Sequence, residues 1–422
     1  MRLNRDLAAL KGRKVETDAS VEFAVRGILA DVKAEGDAAV RRYAAELDGF
    51  TGSELLVSEA EIKAALHAVG EDFLALLQRA RNNICEFHAN QMEASWSMYR
   101  DNGAMLGQIV RPLGRVALYV PGGTASYPSS VLMNAIPAVL AGVEEIVMFT
   151  PVKRDGKVAD VILAAAATSG VHTIYKVGGA QAIAAAAYGT ETIGKVDKIV
   201  GPGNAYVATA KRLVYGEVGI DMIAGPSEVL IIADEGANPK YIAADMLGQA
   251  EHDRLASAIL ITTSEKVRGE TEAELGRQMA LLDRREIAEA SLSRYGAAIL
   301  VGDLEEAFAL SNELAPEHLE IMTENPMEHL PKVQNAGSIF LGEHTPEALG
   351  DYMSGTNHVL PTNGTARFYS PLGVQDFIKR SSFSFYPRSA LESLAADVVR
   401  FAELEGLGAH AQSVKVRFEE GE

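Results

Sequence analysis

The chain contains a single cysteine among 422 residues, Cys85. One cysteine excludes an intrachain disulfide and any cysteine-rich metal site, and nothing in the sequence requires an oxidising compartment. Cys85 lies in a long amphipathic helical pattern, where cysteine commonly acts as a small packing residue. We therefore interpret it as part of a core rather than as a nucleophile.

Positive charge and long apolar runs are also scarce. The chain has 39 Lys and Arg against 57 Asp and Glu, a formal net charge of -18. This charge disfavours a nucleic acid partner, because polyanion binding relies on basic surface. No apolar run approaches the roughly 20 residues that span a bilayer, and residues 1–6 form no signal-peptide core. We expect a cytoplasmic protein with no membrane partner.

Hydrophobic residues make up 48% of the chain, enough for two or three compact domains. Apolar residues at helical spacing predict helices over 19–48 and 59–97. From about residue 106, short β-rich runs alternate with Ala-rich helical stretches, which predicts an α/β fold with parallel sheets covered on both faces. The predicted strands are 115–120, 145–150, 173–177 and 198–200 in one series, and 228–234, 257–263, 297–301 and 338–341 in another.

The C-terminal part of the sequence has a different texture. After about residue 364 the chain becomes polar and aromatic, and one long helix is predicted over 390–405. This tail is too small to fold alone. We expect it to pack on the α/β body or on a second subunit.

Three glycine-rich loops each follow a predicted strand and precede a helix: Pro-Gly-Gly-Thr at 121–124, Gly-Gly-Ala-Gln at 178–181 and Gly-Pro-Gly-Asn at 201–204. Glycines at such turns let backbone amides approach an anionic group, which fits a nucleotide, and Gln181 and Asn204 add side-chain donors. None is a full G-x-G-x-x-G fingerprint; in the loop at 201–204, Tyr206 stands where the third glycine would fall. Ordinary tight turns explain the loops equally well.

Glu317 and His318 stand side by side after Pro316. Proline favours a turn or a first helical residue, and at a turn both side chains can reach one pocket. Such a pair can move protons in two steps of one reaction. The alternative is a surface Glu and His at a helix start.

Gln249 and His252 are three residues apart on a predicted helix and share a face. Asp351 could add a carboxylate, and imidazole with amide and carboxylate oxygens can hold zinc while leaving a position open. Gln is an uncommon zinc ligand, however, and no H-E-x-x-H spacing occurs. His252 also fits a helix-surface residue beside Glu251 and Asp253.

Together these motifs resemble the histidinol dehydrogenase family over nearly the whole chain. The resemblance is carried by LYVPGG at 118–123, YPSSVLM at 127–133, VGGAQA at 177–182, GPGN at 201–204, GIDMIAGPSE at 219–228, GQAEHD at 248–253, APEHL at 315–319, the segment 350–362 and EGLGAH at 405–410. It implies an NAD-dependent oxidoreductase that oxidises L-histidinol through L-histidinaldehyde to L-histidine. It also implies one Zn²⁺ per subunit, which positions this small amino alcohol.

The resemblance implies a role for individual residues. The zinc ligands would be Gln249, His252, Asp351 and His410. The acid–base residues would be Glu317 and His318. The substrate contacts would be Ser227, His358 and Glu405, together with His318 and the zinc ligands. The NAD contacts would be Tyr119, Gln181 and Asn204.

The resemblance further implies an intertwined homodimer with two incomplete Rossmann-like units. Its domains would be an N-terminal arm (1–22), a first α/β domain with the zinc and acid–base residues (23–117 and 228–366), a second Rossmann-like domain with the NAD contacts (118–227) and a tail on the partner subunit (367–422). Glu405 and His410 would then complete the partner's site.

The chemistry implied for Glu317 and His318 is coherent. His318, as neutral imidazole, can take the alcohol proton while hydride leaves for NAD. The aldehyde must then gain water before a second hydride can leave, and Glu317 could activate that water. Aldehyde oxidation often runs through a cysteine thiohemiacetal instead. Cys85 is the sole thiol and lies far from every motif, which favours the hydrate route.

Three rival functions stay open. Arg254 and Met353 depart from the family pattern beside presumed ligands, so a related zinc-dependent NAD alcohol dehydrogenase could act on another alcohol; Ser227, His358 and Glu405 favour histidinol. A zinc hydrolase would use the same His, Gln and Asp residues without the glycine loops. A non-catalytic nucleotide-binding regulator would not need Glu317 and His318.

Overall fold

The computed structural model describes residues 3–4, 19–52, 54–122, 126–152, 155–223 and 225–419. The helices in these residues are α1 (Ala19–Glu35), α2 (Asp37–Asp48), α3 (Glu59–Ala68), α4 (Gly70–Ala89), α5 (Pro128–Ala141), α6 (Asp160–Thr168), α7 (Gly179–Tyr188), α8 (Ala205–Val214), α9 (Pro239–Ala250), α10 (Glu265–Met279), α11 (Arg285–Tyr295), α12 (Leu304–Leu314), α13 (Pro326–His329), α14 (Glu347–Tyr352), α15 (Arg388–Leu404) and α16 (Gly408–Lys415).

The strands are β1 (Trp96–Tyr99), β2 (Met105–Pro112), β3 (Arg115–Tyr119), β4 (Glu145–Phe149), β5 (Thr173–Tyr175), β6 (Lys198–Val200), β7 (Gly219–Ile220), β8 (Glu228–Ala233), β9 (Ser257–Thr262), β10 (Gly296–Leu300), β11 (His318–Met322), β12 (Ser338–Leu341) and β13 (Ile378–Phe385). Two five-stranded sheets run in the orders β5-β4-β3-β6-β7 and β10-β9-β8-β11-β12. All of their strand pairs are parallel. The predicted α/β class with two parallel-sheet units is confirmed.

Both faces of each parallel sheet are buried, as their continuous apolar sequences require. In β3, Val116 and Leu118 enter one core cluster, whereas Ala117 and Tyr119 enter another. The residues of β8 alternate in the same way between two further clusters. Cys85 is half-buried and packs against the first of these cores, which confirms its interpretation as a packing residue.

The two long N-terminal helical segments are each divided into two helices, which the sequence did not predict. The segment 19–48 is interrupted at Gly36, whose φ of 56° lies in the left-handed region that favours glycine. The predicted helix 59–97 is divided between Ala68 and Gly70 and ends at Ala89, and Trp96 begins a strand. The predicted helix was too long, because apolar periodicity does not show that Trp96 pairs with β2 and begins a strand.

The tail contains structure that the sequence analysis missed. Strand β13 pairs antiparallel with β2 over eight residues, and β2 also pairs with β1. The helix predicted over 390–405 is α15, and a second helix, α16, follows it. The strand was missed because β13 shows no strict alternation of buried and exposed residues.

The chain divides into two compact units, Met1–Met92 with Leu113–Phe377, and Glu93–Pro112 with Ile378–Glu422. The first contains both parallel sheets, and the second contains the antiparallel sheet with α15 and α16. The boundaries predicted at 22, 117, 227 and 366 stay predictions. A search of the described residues finds no helix with the length and hydropathy needed to cross a membrane.

Candidate active site

Glu317 and His318 lie where β11 begins, in the middle of a parallel sheet. His318 pairs with Val229 of β8 on one side and with Ser338 of β12 on the other. Both acid–base candidates are buried, with 5% and 4% of their surface exposed. The predicted helix start is therefore wrong, and so is the surface alternative, whereas Glu317 lies in a bend directly before the strand. The pair stands at the amino ends of these strands.

The backbone of Glu228 holds both side chains. Its N–H donates to Glu317 Oε2 at 2.7 Å, and its carbonyl oxygen lies 3.0 Å from His318 Nδ1. A carbonyl only accepts, so Nδ1 carries the proton and donates to it. Nε2 is then the basic nitrogen of the neutral ring, and it is buried without a hydrogen-bond partner among the described residues.

Three acidic or imidazole side chains converge beside His318. His252, Glu347 and Asp351 each offer one ligand atom, and these atoms lie within 4.8 Å of one another. Glu347 Oε1 is also 3.9 Å from His318 Nδ1. Sequence analysis missed Glu347, although it stands four residues before Asp351 on one face of α14, a spacing that could have revealed it.

Gln249 lies beside the acid–base pair. Its Nε2 is 3.3 Å from His318 Nδ1, and in the part of the chain that is described its buried Oε1 has no hydrogen-bond partner. The side chain is fully buried at the end of α9, three residues before His252. An unpartnered amide oxygen can serve, together with the carboxylates and imidazole of this group, as a ligand of a divalent cation such as zinc.

The charges of this group perturb its pKa values. Burial alone would lower the pKa of His318, but the negative charges of Glu347 and Glu317 outweigh it and raise this pKa well above its usual range. Burial raises the pKa of Glu347 to about 8. A cation bound to these carboxylates would oppose both effects by stabilising negative charge and repelling the imidazolium proton.

Two further buried acidic residues, Glu320 and Asp245, lie close to Glu347. Burial, followed by the negative charges of Asp245 and Glu347, raises the pKa of Glu320 well above its usual range. Burial also raises the pKa of Asp245 to about 6. Glu320 Oε1 accepts the Glu347 N–H at 2.9 Å, so this buried carboxyl group holds the first turn of α14 in place.

The predicted nucleotide contacts lie at the carboxyl ends of strands in the other parallel sheet. Tyr119 ends β3, and its hydroxyl accepts the Gly179 N–H at 3.0 Å. The fully buried Gln181 donates through Nε2 to Asp48 Oδ2 at 3.2 Å. Sequence analysis missed Asp48, which ends α2 and gave no motif. Gly123 and Thr124 of the first glycine loop lie outside the described residues.

Asn204 is exposed and caps α8, its Oδ1 accepting the N–H groups of Tyr206 and Val207, both at 3.1 Å. This role differs from the donor role expected from sequence, because N-caps use the side-chain oxygen. The cap uses the Asn204 Oδ1 alone.

The family model described as Histidinol dehydrogenase matches residues 11–418. The chain belongs to the histidinol dehydrogenase family. It is 59% identical over 412 residues to histidinol dehydrogenase from Lactococcus lactis, covering 97% of this chain and 96% of the relative. Identity to the Clostridium acetobutylicum enzyme is 54% over 410 residues, covering 97% and 95%.

A solved structure supports the same assignment. The crystal structure of histidinol dehydrogenase from Elizabethkingia anophelis superimposes with a TM-score of 0.93 at 40% sequence identity, and the match covers 97% of this chain and 95% of that one. The predicted family is thus confirmed, and with it the oxidoreductase class.

Two predicted substrate contacts of this family member lie near the acid–base pair. Ser227 directly precedes β8, whose first residue holds Glu317 and His318. His358 Nδ1 is 3.1 Å from the Asp351 carbonyl oxygen, and its Nε2 is 3.2 Å from Ser130 Oγ. Burial lowers the pKa of His358, which favours its neutral form.

The two departures from the family pattern do not join the group of ligand atoms. Arg254 is exposed. Met353 packs against the core, and its carbonyl oxygen accepts Asn83 Nδ2 at 2.7 Å. Glu405 and His410 are exposed residues of the other compact unit, and their part in a site stays a prediction.

Proposed function

We propose that this protein is a zinc-containing, NAD-dependent histidinol dehydrogenase, which oxidises L-histidinol through L-histidinaldehyde to L-histidine and reduces two NAD. One observation carries the proposal. In a member of this family, the buried Glu317 and His318 lie beside the converging ligand atoms of His252, Glu347 and Asp351.

His318 is the base of the alcohol oxidation. Its Nδ1 proton is committed to the Glu228 carbonyl, which leaves Nε2 to accept the hydroxyl proton of the substrate. A hydride is transferred to NAD from the carbon atom that carries this hydroxyl. The fixed ring orientation supplies the geometry that proton transfer requires.

Glu317 activates water in the second step. Its Oε2 accepts the Glu228 N–H, and the carboxylate is 3.6 Å from His318 Nδ1. The aldehyde carbon gains the activated water, and the hydrate then loses a second hydride to NAD. A thiohemiacetal route has no support, since the one thiol, Cys85, packs against the core.

Gln249, His252 and Asp351 would hold zinc, and Glu347 is a further ligand or a charge partner within the same group. Bound zinc would act as a Lewis acid that grips the substrate's nitrogen atoms and fixes its orientation. His410 would complete the ligand set from the partner subunit. Ser227, His358 and Glu405 would contact the substrate.

Tyr119, Gln181 and Asn204 would contact NAD at the carboxyl ends of β3, β5 and β6, the edge at which open α/β sheets bind ligands. The Gly179 N–H is already paired with the Tyr119 hydroxyl, and Asp48 accepts from Gln181. We infer that this loop orients side chains toward the nucleotide rather than cradling a phosphate.

The decisive assay follows NADH after mixing the protein with zinc, NAD and L-histidinol. We expect two NADH per L-histidinol consumed, with L-histidine as product. Reduction of NAD with other alcohols but not with L-histidinol would instead support the related alcohol dehydrogenase. Hydrolysis of an ester or amide without NAD reduction would support the zinc hydrolase, and NAD binding without turnover would support the regulator.

We further propose the domain arrangement and homodimer that the family resemblance implies, with the tail 367–422 completing the partner's site. A chain lacking residues 400–422 and a Glu317→Gln chain are each expected to form almost no L-histidine. Mixed and allowed to exchange subunits, they should recover L-histidine formation, because one site of each heterodimer then has both an intact tail and an intact Glu317.

The matched control for this mixing experiment pairs the truncated chain with a chain that carries both Glu317→Gln and His410→Ala. Those heterodimers lack any complete site and should stay inactive. Heterodimers shown to form by differential tagging, yet without recovered activity, would contradict a site shared between subunits.

A further inference from the structure

An ion pair with both charges buried lies next to the third glycine-rich loop. Lys211 of α8 and Asp221, which follows β7, form a salt bridge, and their side chains are only 2% and 1% exposed. No step of the proposed reaction uses either residue. Both side chains are bonded to each other and to backbone groups of the protein.

Both partners bind the backbone of one residue, Gly201, at the end of β6. Lys211 Nζ donates to the Gly201 carbonyl oxygen at 2.8 Å, and the Gly201 N–H donates to Asp221 Oδ2 at 2.7 Å. Asp221 Oδ1 also accepts the Met222 N–H at 2.6 Å. The pair therefore satisfies the donor and the acceptor of the residue with which the loop 201–204 begins.

Gly201, whose backbone is held by the Lys211–Asp221 pair (the clamp), cannot readily be replaced by another residue. Its φ of 109° lies in the region that favours glycine, and a Cβ would overlap the Tyr119 carbonyl oxygen. Three residues later, Asn204 caps α8 and is exposed at the carboxyl edge of the sheet. The pair thus fixes Gly201, which packs against the Tyr119 backbone at the end of β3 and lies three residues before Asn204, and both of these residues are proposed NAD contacts.

The attraction between the two buried charges contributes little net free energy of folding. Removing two charges from water is costly, and apolar residues of similar volume often replace a buried ion pair without loss of stability. What apolar residues cannot do is hold a carbonyl and an N–H of one loop residue in fixed positions. Preorganising a loop lowers the entropic cost of binding.

We propose that Lys211 and Asp221 are positioning residues for the nucleotide, which set the affinity for NAD by fixing the loop 201–204. This inference rests on the proposed NAD site. It assigns to this buried pair an effect on cofactor binding that acts through the backbone of the loop.

The test is the double variant Lys211→Met/Asp221→Leu, which removes the clamp without leaving a lone buried charge. NAD binding is titrated in the absence of substrate, and KM values are measured for NAD and L-histidinol. We expect NAD binding to weaken and the KM for NAD to rise by at least about tenfold, with the KM for L-histidinol close to wild type. The melting temperature should fall, because the Gly201 N–H, the Gly201 carbonyl and the Met222 N–H lose their buried partners.

Lys198→Met/Asp376→Leu is the matched control. Lys198 begins β6, the strand that Gly201 follows, and its Nζ likewise contacts a carboxylate and a carbonyl oxygen, both of Asp376, at 2.9 and 2.8 Å. We expect this variant to bind NAD as wild type does. Equal weakening in both variants, or unchanged NAD binding in the Lys211/Asp221 variant, would overturn the proposal.

Hydrogen exchange of the wild-type protein gives a readout that does not depend on how the variants fold. The Gly201 and Met222 amides should exchange slowly before NAD is added. Fast exchange that slows only with NAD would overturn the proposal, since the loop would then be ordered by the ligand. A wild-type protein that binds no NAD would overturn the proposed function as well, whereas normal wild-type binding with an unaffected clamp variant would overturn this inference alone.

Discussion

Glu317→Gln is expected to slow the oxidation of L-histidinaldehyde by about 10²–10⁴-fold, the range typical for loss of a general base. The amide keeps the size of the side chain and can still accept the Glu228 N–H, but it cannot take a proton from water. Oxidation of L-histidinol to the aldehyde should fall far less, because His318 is the proposed base of that step. Each half-reaction is measured separately by NADH formation with its own substrate.

His318→Asn provides the reciprocal result. Asn can donate to the Glu228 carbonyl as Nδ1 does, but no basic nitrogen replaces Nε2, so the alcohol step should lose the most. Glu324→Gln is the control, since Glu324 is exposed just beyond the opposite end of the same strand. Equal losses in both half-reactions for Glu317→Gln would refute the division of roles.

Asp351→Asn and His252→Ala are expected to weaken zinc binding by at least about 10–100-fold, with a parallel loss of alcohol oxidation. Both residues belong to the group whose ligand atoms lie within 4.8 Å of one another. Zinc per chain is measured after dialysis against a chelator of graded strength. NAD binding should be retained, because the proposed nucleotide contacts belong to the other parallel sheet.

Glu347→Gln separates the two roles open to Glu347. Loss of zinc identifies it as a ligand, whereas retained zinc with slowed alcohol oxidation identifies it as the charge partner of His318, 3.9 Å away. Asp253→Asn is the control, because Asp253 is next to His252 in sequence but does not belong to the group of converging ligand atoms. If Glu347→Gln changes neither zinc content nor activity, the residue has no part in the site.

The elements that sequence predicted well are those with strong local signals. Strands β3, β4, β8 and β9 are short apolar runs bounded by turns, and their helices carry clear apolar periodicity. Strand β11 was missed because its sequence, His-Leu-Glu-Ile-Met, carries two polar residues and follows a proline. Both polar residues, His318 and Glu320, are buried because β11 lies between β8 and β12. No local sequence pattern predicts this strand pairing.

The candidate active site shows the same contrast between residues with a local sequence signal and residues placed only by tertiary contacts. Residue types and spacing indicated an acid–base pair, metal ligands and glycine loops, and the assembled motifs determined the family. They did not reveal Glu347 or Asp48, whose partners His318 and Gln181 are 29 and 133 residues away in sequence. Each is an ordinary acidic helix residue until folding brings its partner near.

The sequence by itself determined the α/β class, the family and the absence of an intrachain disulfide, because these follow from residue types, local periodicity and motif order. Only the tertiary structure decided that Glu317 and His318 are buried, that the Glu228 carbonyl selects the imidazole tautomer, and that Glu347 lies close to His252, Asp351 and His318. Charge interactions and proton affinities depend on distance and burial, and in this chain both arise from contacts between residues far apart in sequence.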